Sequence, residues 1–146
     1  AWPPEFEAAR QALRTNSGDV GAWLAFSDAL PREGRTEDAI SGLQVALSAM
    51  PNDADLWVGL GQAMMMHAGG MVTPAARLAF DNASKLAPEN PAPRYFLGLA
   101  WLQAGDAKAA LREWQTLRDS SPSDAPWLPD LDARIKAVTA MIAAGG

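Results

Sequence analysis

Apolar residues recur along this chain at the spacing of helices. Trp57, Leu60, Gly61 and Met64 step by three and four, which lays them along one helical face. Ala76, Phe80 and Ala83 do the same in the following segment. Near the start, Phe6, Ala9, Ala12 and Leu13 form an apolar face behind Pro3 and Pro4. Near the end, Leu128, Leu131, Ile135, Val138 and Ile142 step by 3, 4, 3 and 4, a long amphipathic helix with Asp130, Asp132, Arg134 and Lys136 on its other sides. Pro51, Pro88 and Pro122 each follow a helical run and stop it. Gly34 and Gly105 fall where the chain must reverse. The pattern predicts eight helices, roughly 4–15, 19–30, 36–49, 53–67, 73–86, 91–104, 107–120 and 128–143.

The segments repeat. Trp23 to Trp57, Ala76 to Ala110 and Pro88 to Pro122 are each 34 residues apart. Ala39 to Ala76, Leu43 to Phe80 and Pro51 to Pro88 are each 37 apart, so one unit carries three extra residues within His67–Thr73. Large apolar, small and proline residues hold the same offsets in three units. This register resembles the tetratricopeptide repeat (TPR), a helix–turn–helix unit of 34 residues. The resemblance implies an all-α fold, a TPR-type right-handed α-solenoid of three repeats with an N-terminal helix and a C-terminal capping helix. As a single TPR domain over 1–146, it divides into an N-terminal helix (1–18), repeat 1 (20–53), repeat 2 with the insertion (54–90), repeat 3 (91–124) and the cap (125–146). One unit cannot bury both its faces, so the ends need covering.

Composition narrows the chemistry. The chain of 146 residues has no Cys, which removes thiol catalysis, disulfides and Cys-ligated zinc. A single His makes His-based zinc sites and Ser–His hydrolysis poor readings. A net charge of −5 argues against nucleic acid. The least charged stretch, Leu56 to Val72, is too short and too polar for a membrane span. The chain opens on Ala1, which reads as a processed product or an excised domain with any anchor outside it.

Candidate reactive groups have plainer explanations. Glu37 and Asp38, or Asp130 and Asp132, sit at helix starts, where the dipole favours acids. Met64, Met65 and Met66 beside His67 read as core and adaptable surface rather than copper or haem ligands. Gly69-Gly70 lacks the Lys-Ser/Thr of a phosphate loop. No catalytic residue, metal site or cofactor is expected.

What remains is a concave face. Residues of each unit's first helix that are out of phase with its packing face should point into a groove. These are Gly21, Leu24 and Asp28 in unit one; Asp55, Val58, Gln62, Met65 and Met66 in unit two; and Ala92, Tyr95, Leu99, Leu102 and Gln103 in unit three. The set is apolar for a surface and suits an amphipathic helix laid in a groove. Some TPR adaptors clamp a peptide's terminal carboxylate with Lys and Asn; here those places hold Leu24, Asp28, Val58, Gln62, Tyr95 and Leu99, and no such clamp is expected.

Two stretches are more specific. Ala68-Gly-Gly-Met-Val-Thr-Pro-Ala-Ala-Arg77, and the run from Pro91 to Ile135 with its Asp124-Ala-Pro-Trp127, resemble the periplasmic repeat domain of the CcmI/CycH family of cytochrome c biogenesis proteins. The resemblance implies a non-catalytic chaperone. Such proteins hold apocytochrome c, chiefly by its C-terminal helix, and pass it to haem lyase subunits. They are anchored in the inner membrane by segments this chain lacks, which implies a periplasmic location. Two alternatives stay open: a general periplasmic adaptor or nitrite reductase haem lyase subunit, and a structural scaffold for membrane subunits.

Overall fold

A computed structural model describes residues 34–145 of the chain. The predicted helices at 4–15 and 19–30, together with Gly21, Leu24 and Asp28, lie outside the described residues. The other six predicted helices all form: α1 (Thr36–Ala49), α2 (Ala54–His67), α3 (Pro74–Leu86), α4 (Pro91–Gln103), α5 (Ala107–Ser120) and α6 (Leu128–Ala143). Each end falls within one residue of the sequence reading. No strand occurs among the described residues.

Local chemistry fixes the ends. Asp53 accepts a hydrogen bond from the Leu56 amide at 3.1 Å and Thr73 one from Ala76 at 3.2 Å. Asn90 accepts from Ala92 and Asp106 from Ala109, both at 3.0 Å. Each satisfies an amide that the first helical turn leaves without a partner. Pro74 and Pro91 occupy first-turn positions, where the missing N–H costs nothing. Pro51, Pro88 and Pro122 each stand two residues past the last helical one, as the repeat pattern requires.

The helices pack in sequence order. Among the described residues every substantial contact joins consecutive helices, the signature of a solenoid. Inside each hairpin one glycine meets one aromatic ring. A Cβ on Gly61 would lie 2.6 Å from Phe80 Cε1, and one on Gly98 would run into the Trp114 indole. Glycine is therefore what lets α2 close on α3, and α4 on α5. Phe80 and Trp114 are almost wholly buried, and the Trp114 indole N–H donates to the Tyr95 carbonyl at 3.0 Å. Stacked rings join the units, with Phe80 and Phe96 centroids 4.8 Å apart.

α6 completes the stack. Leu131 and Val138 are buried against Ala107, Trp114 and Leu117, with Leu128, Ile135 and Ile142 half-buried around them. All five residues of the predicted stripe thus serve in one interface. Arg118 of α5 ties down the outer side of α6 by donating to Asp132 at 2.5 Å. That hydrogen bond, with the carboxylate's charge, holds the guanidinium above its ordinary pKa.

Candidate peptide-binding groove

The second helices of the hairpins, α3 and α5, carry the large rings that plug the hairpins. The first helices, α2 and α4, and then α6, line a hollow of about 750 Å³. Its floor comes from Pro91, Ala92, Tyr95 and Phe96 of α4, with Leu117 behind them. Gln62 of α2 forms one side. The other side is Trp127 and the α6 residues Asp130, Leu131, Ala133, Arg134 and Ala137. Spaced by three and four, Asp130, Ala133, Arg134 and Ala137 make one face of α6.

The side chains are held by ordinary packing. Tyr95 stacks on Trp114 at 5.7 Å between centroids and meets Phe96 edge-on at 5.3 Å. The Arg134 guanidinium carbon lies 5.2 Å from the centre of the Tyr95 ring. The Trp127 indole N–H donates to Ser121 Oγ at 3.0 Å, which pins the entry to α6.

The residues that the sequence points to are distributed unevenly. Gln62, Ala92 and Tyr95 line the hollow. Asp55 and Met66 are exposed on α2, and Val58 is half-buried. Met65 is half-buried too, but it packs towards Ala76, Phe80 and Leu97 rather than beside Met66. Leu99 and Leu102, half-buried, pack into the cluster that α6 closes. Gln103 is engaged elsewhere: its Oε1 accepts from the Val72 amide at 2.8 Å, and its Nε2 donates to the Gly70 carbonyl at 3.0 Å. It fastens the insertion.

Sequence reasoning missed the α6 wall. The Leu–Ile–Val stripe assigns α6 the role of a cover, and the helix dipole accounts for Asp130 without a groove. The signal that marks the wall is the pair of small residues, Ala133 and Ala137, between Asp130 and Arg134. A helix face of small residues leaves room beside it. His67, at the last turn of α2, meets Thr36 Oγ1 through Nδ1 at 2.7 Å, with Glu37 3.9 Å from Nε2. It joins α2 to the start of α1 and lies off the hollow. Among the described residues no group of three or more His, Asp or Glu is placed to hold a metal ion, and no helix is long and apolar enough to cross a membrane.

Comparison with known proteins sharpens this picture. No family model matches the chain. It is 34% identical over 119 residues to the cytochrome c-type biogenesis protein CycH of Bradyrhizobium diazoefficiens, covering 82% of this chain and 32% of that protein. It is 31% identical over 138 residues to CycH of Rhizobium meliloti, covering 94% of this chain and 36% of that protein. The chain thus spans about a third of the length of these relatives. Among solved structures, a thermophilic TPR protein of Thermus thermophilus superposes with a TM-score of 0.76 at 22% identity, over 92% of this chain and 71% of that one. The fold is that of a TPR solenoid.

Proposed function

We propose that this chain, homologous over most of its length to about a third of the cytochrome c-type biogenesis proteins CycH, holds the C-terminal amphipathic helix of apocytochrome c for delivery to haem lyase subunits. In this reading it is a non-catalytic protein-binding module of c-type cytochrome maturation. It works in the periplasm, with membrane attachment supplied by other segments.

The hollow between α2, α4 and α6 is the observation that carries the proposal. Its floor of Tyr95, Phe96, Ala92 and Pro91 is apolar and its rim is polar. Amphipathic helices dock in grooves of that kind. Tyr95 and Phe96 are already stacked on Trp114 and Phe80, so the floor is ordered before a ligand arrives. Preorganisation of this kind lowers the entropy cost of binding. Met66, 53% exposed on α2 and one helical turn beyond Gln62, offers an adaptable thioether next to that side of the hollow.

The test is a titration of the chain with a synthetic cytochrome c C-terminal helix. Saturable binding is expected. Ala133→Glu, at an exposed position on the α6 wall, places a charge against the apolar ligand face and weakens binding at least about tenfold, the cost of desolvating an unpaired carboxylate. Circular dichroism checks that the variant stays folded. An absence of binding, or affinity untouched by Ala133→Glu, rejects the groove.

A second reading, a scaffold for membrane subunits, has one observation in its favour. A separate hollow of about 410 Å³ lies beside the insertion, where Met71 and Leu78 are exposed next to Arg77 and Asp81. Pull-down of haem lyase subunits that survives Ala133→Glu but fails in Leu78→Glu supports it.

A further inference from the structure

The two first-helix positions per unit that would form a carboxylate clamp carry no cation, and that pattern alone describes a groove indifferent to charge. The capping helix changes this. Arg134 lines the hollow, is exposed, and has no carboxylate within ion-pair distance among the described residues. Three other arginines are committed: Arg118 to Asp132, Arg35 to Asp38, and Arg77 over the Trp101 ring at 4.1 Å. Arg94 and Arg112 do not line the hollow. Asp130, one turn before Arg134 at a spacing that commonly pairs, does not bridge to it. It stands in the first turn of α6, where an acid is favoured by the helix dipole.

We propose that Arg134 makes the groove selective for an amphipathic helix that carries a carboxylate side chain next to its apolar face. The inference rests on the groove reading above and specifies its ligand. Tyr95 holds the guanidinium by its charge alone, which leaves the N–H donors available. Those donors form a planar fork that fits a carboxylate with two parallel hydrogen bonds. The apolar floor beside them excludes water once a helix is seated, and the pair gains strength from the lower local dielectric. Asp130 at the other end of the same wall repels a second acid one turn away. The wall therefore reads one acidic position and not a uniformly acidic tail. A charge-assisted hydrogen bond of this kind changes affinity by about ten- to a hundredfold.

The test uses the whole chain and a set of cytochrome c C-terminal helix peptides in which each Glu or Asp is replaced in turn by Gln or Asn. One replacement is expected to weaken binding to the wild-type chain about tenfold or more. The same replacement should have no effect on Arg134→Gln, because its partner is already gone. Arg134→Lys should fall between, keeping the charge and losing the fork. The salt dependence of Kd should flatten in Arg134→Gln. Wild-type affinity for every peptide in Arg134→Gln, with an unchanged salt slope, overturns the inference while leaving the groove standing. A wild-type chain that binds none of the peptides rejects both.

Discussion

The α2–α3 and α4–α5 hairpins use one design and end their first helix in one way. In α2, Gly69 donates to the Met66 carbonyl and Gly70 to that of Met65; in α4, Gly105 donates to Leu102 and Asp106 to Trp101. Both are the same glycine-closed helix terminus, with φ of 67° at Gly69 and 84° at Gly105. Beyond that terminus the two hairpins diverge. Asp106 finishes the terminus of α4 and is itself the cap of α5. In the other hairpin Gly70 finishes the terminus and Thr73 is the cap of α3, three residues later. The three extra residues are therefore inserted between two caps and leave both helices intact. The lesson is that a repeat tolerates length where backbone hydrogen bonding is already complete, provided something holds the added loop. Gln103 does so from the next unit.

The hairpins differ again on the concave side. Leu99 of α4 is half-buried against the cluster that Leu131 and Val138 of α6 help to form. Gln62 of α2, its counterpart 37 residues earlier, stays exposed. One repeat position thus packs inward in one unit and faces outward in the other.

Truncating the two plugs tests the equivalence most severely. Trp114→Ala and Phe80→Ala should each cost about 3–5 kcal/mol in chemical denaturation. Trp114→Ala should be the worse, since it also releases α6 and removes the indole N–H that bonds the Tyr95 carbonyl. Equal losses would mean that α6 contributes little to the second hairpin.

Overfilling the same contacts has the next largest effect. Gly98→Ala and Gly61→Ala should each lose about 1–3 kcal/mol by forcing a ring aside. Gly98→Ala should lose more, because the Trp114 indole is fixed by a hydrogen bond that the Phe80 ring lacks. A neutral Gly98→Ala would show that the helices separate freely.

Gln103→Ala isolates the insertion. Loss of its two hydrogen bonds should cost on the order of 1 kcal/mol and raise amide exchange at Val72, while peptide binding stays as in wild type. Weakened binding would place Gln103 in the groove after all. The smallest effect is expected for Arg118→Ala, whose exposed pair with Asp132 should leave the melting temperature nearly unchanged.

Helix positions were legible because each depends on near neighbours in the chain. Three- and four-residue spacing places Leu131, Ile135 and Val138 on one face whatever they meet. Gly61 and Phe80 stand in the same repeat positions as Gly98 and Trp114 once the three-residue insertion is removed, so the repeat marked small and large positions, and packing showed which small residue meets which ring. The groove was less legible. Its position on the first helices followed from the repeat, and Gln62, Ala92 and Tyr95 line it. The α6 wall did not follow, since nothing local to Ala133 or Arg134 says which neighbour stands opposite.

The residues alone settled where helices start, stop and present an apolar stripe, and also the register of the repeat. Dihedral preferences, capping and periodicity act over a few residues, and those residues are adjacent. Packing decided the rest: that Met65 turns inward while Met66 stays out, that Gln103 fastens a loop 31 and 33 residues away, and that a capping helix supplies one side of the hollow with its only arginine among the described lining residues. Burial depends on which surface arrives from elsewhere in the chain, and a single helix carries no record of its distant partner.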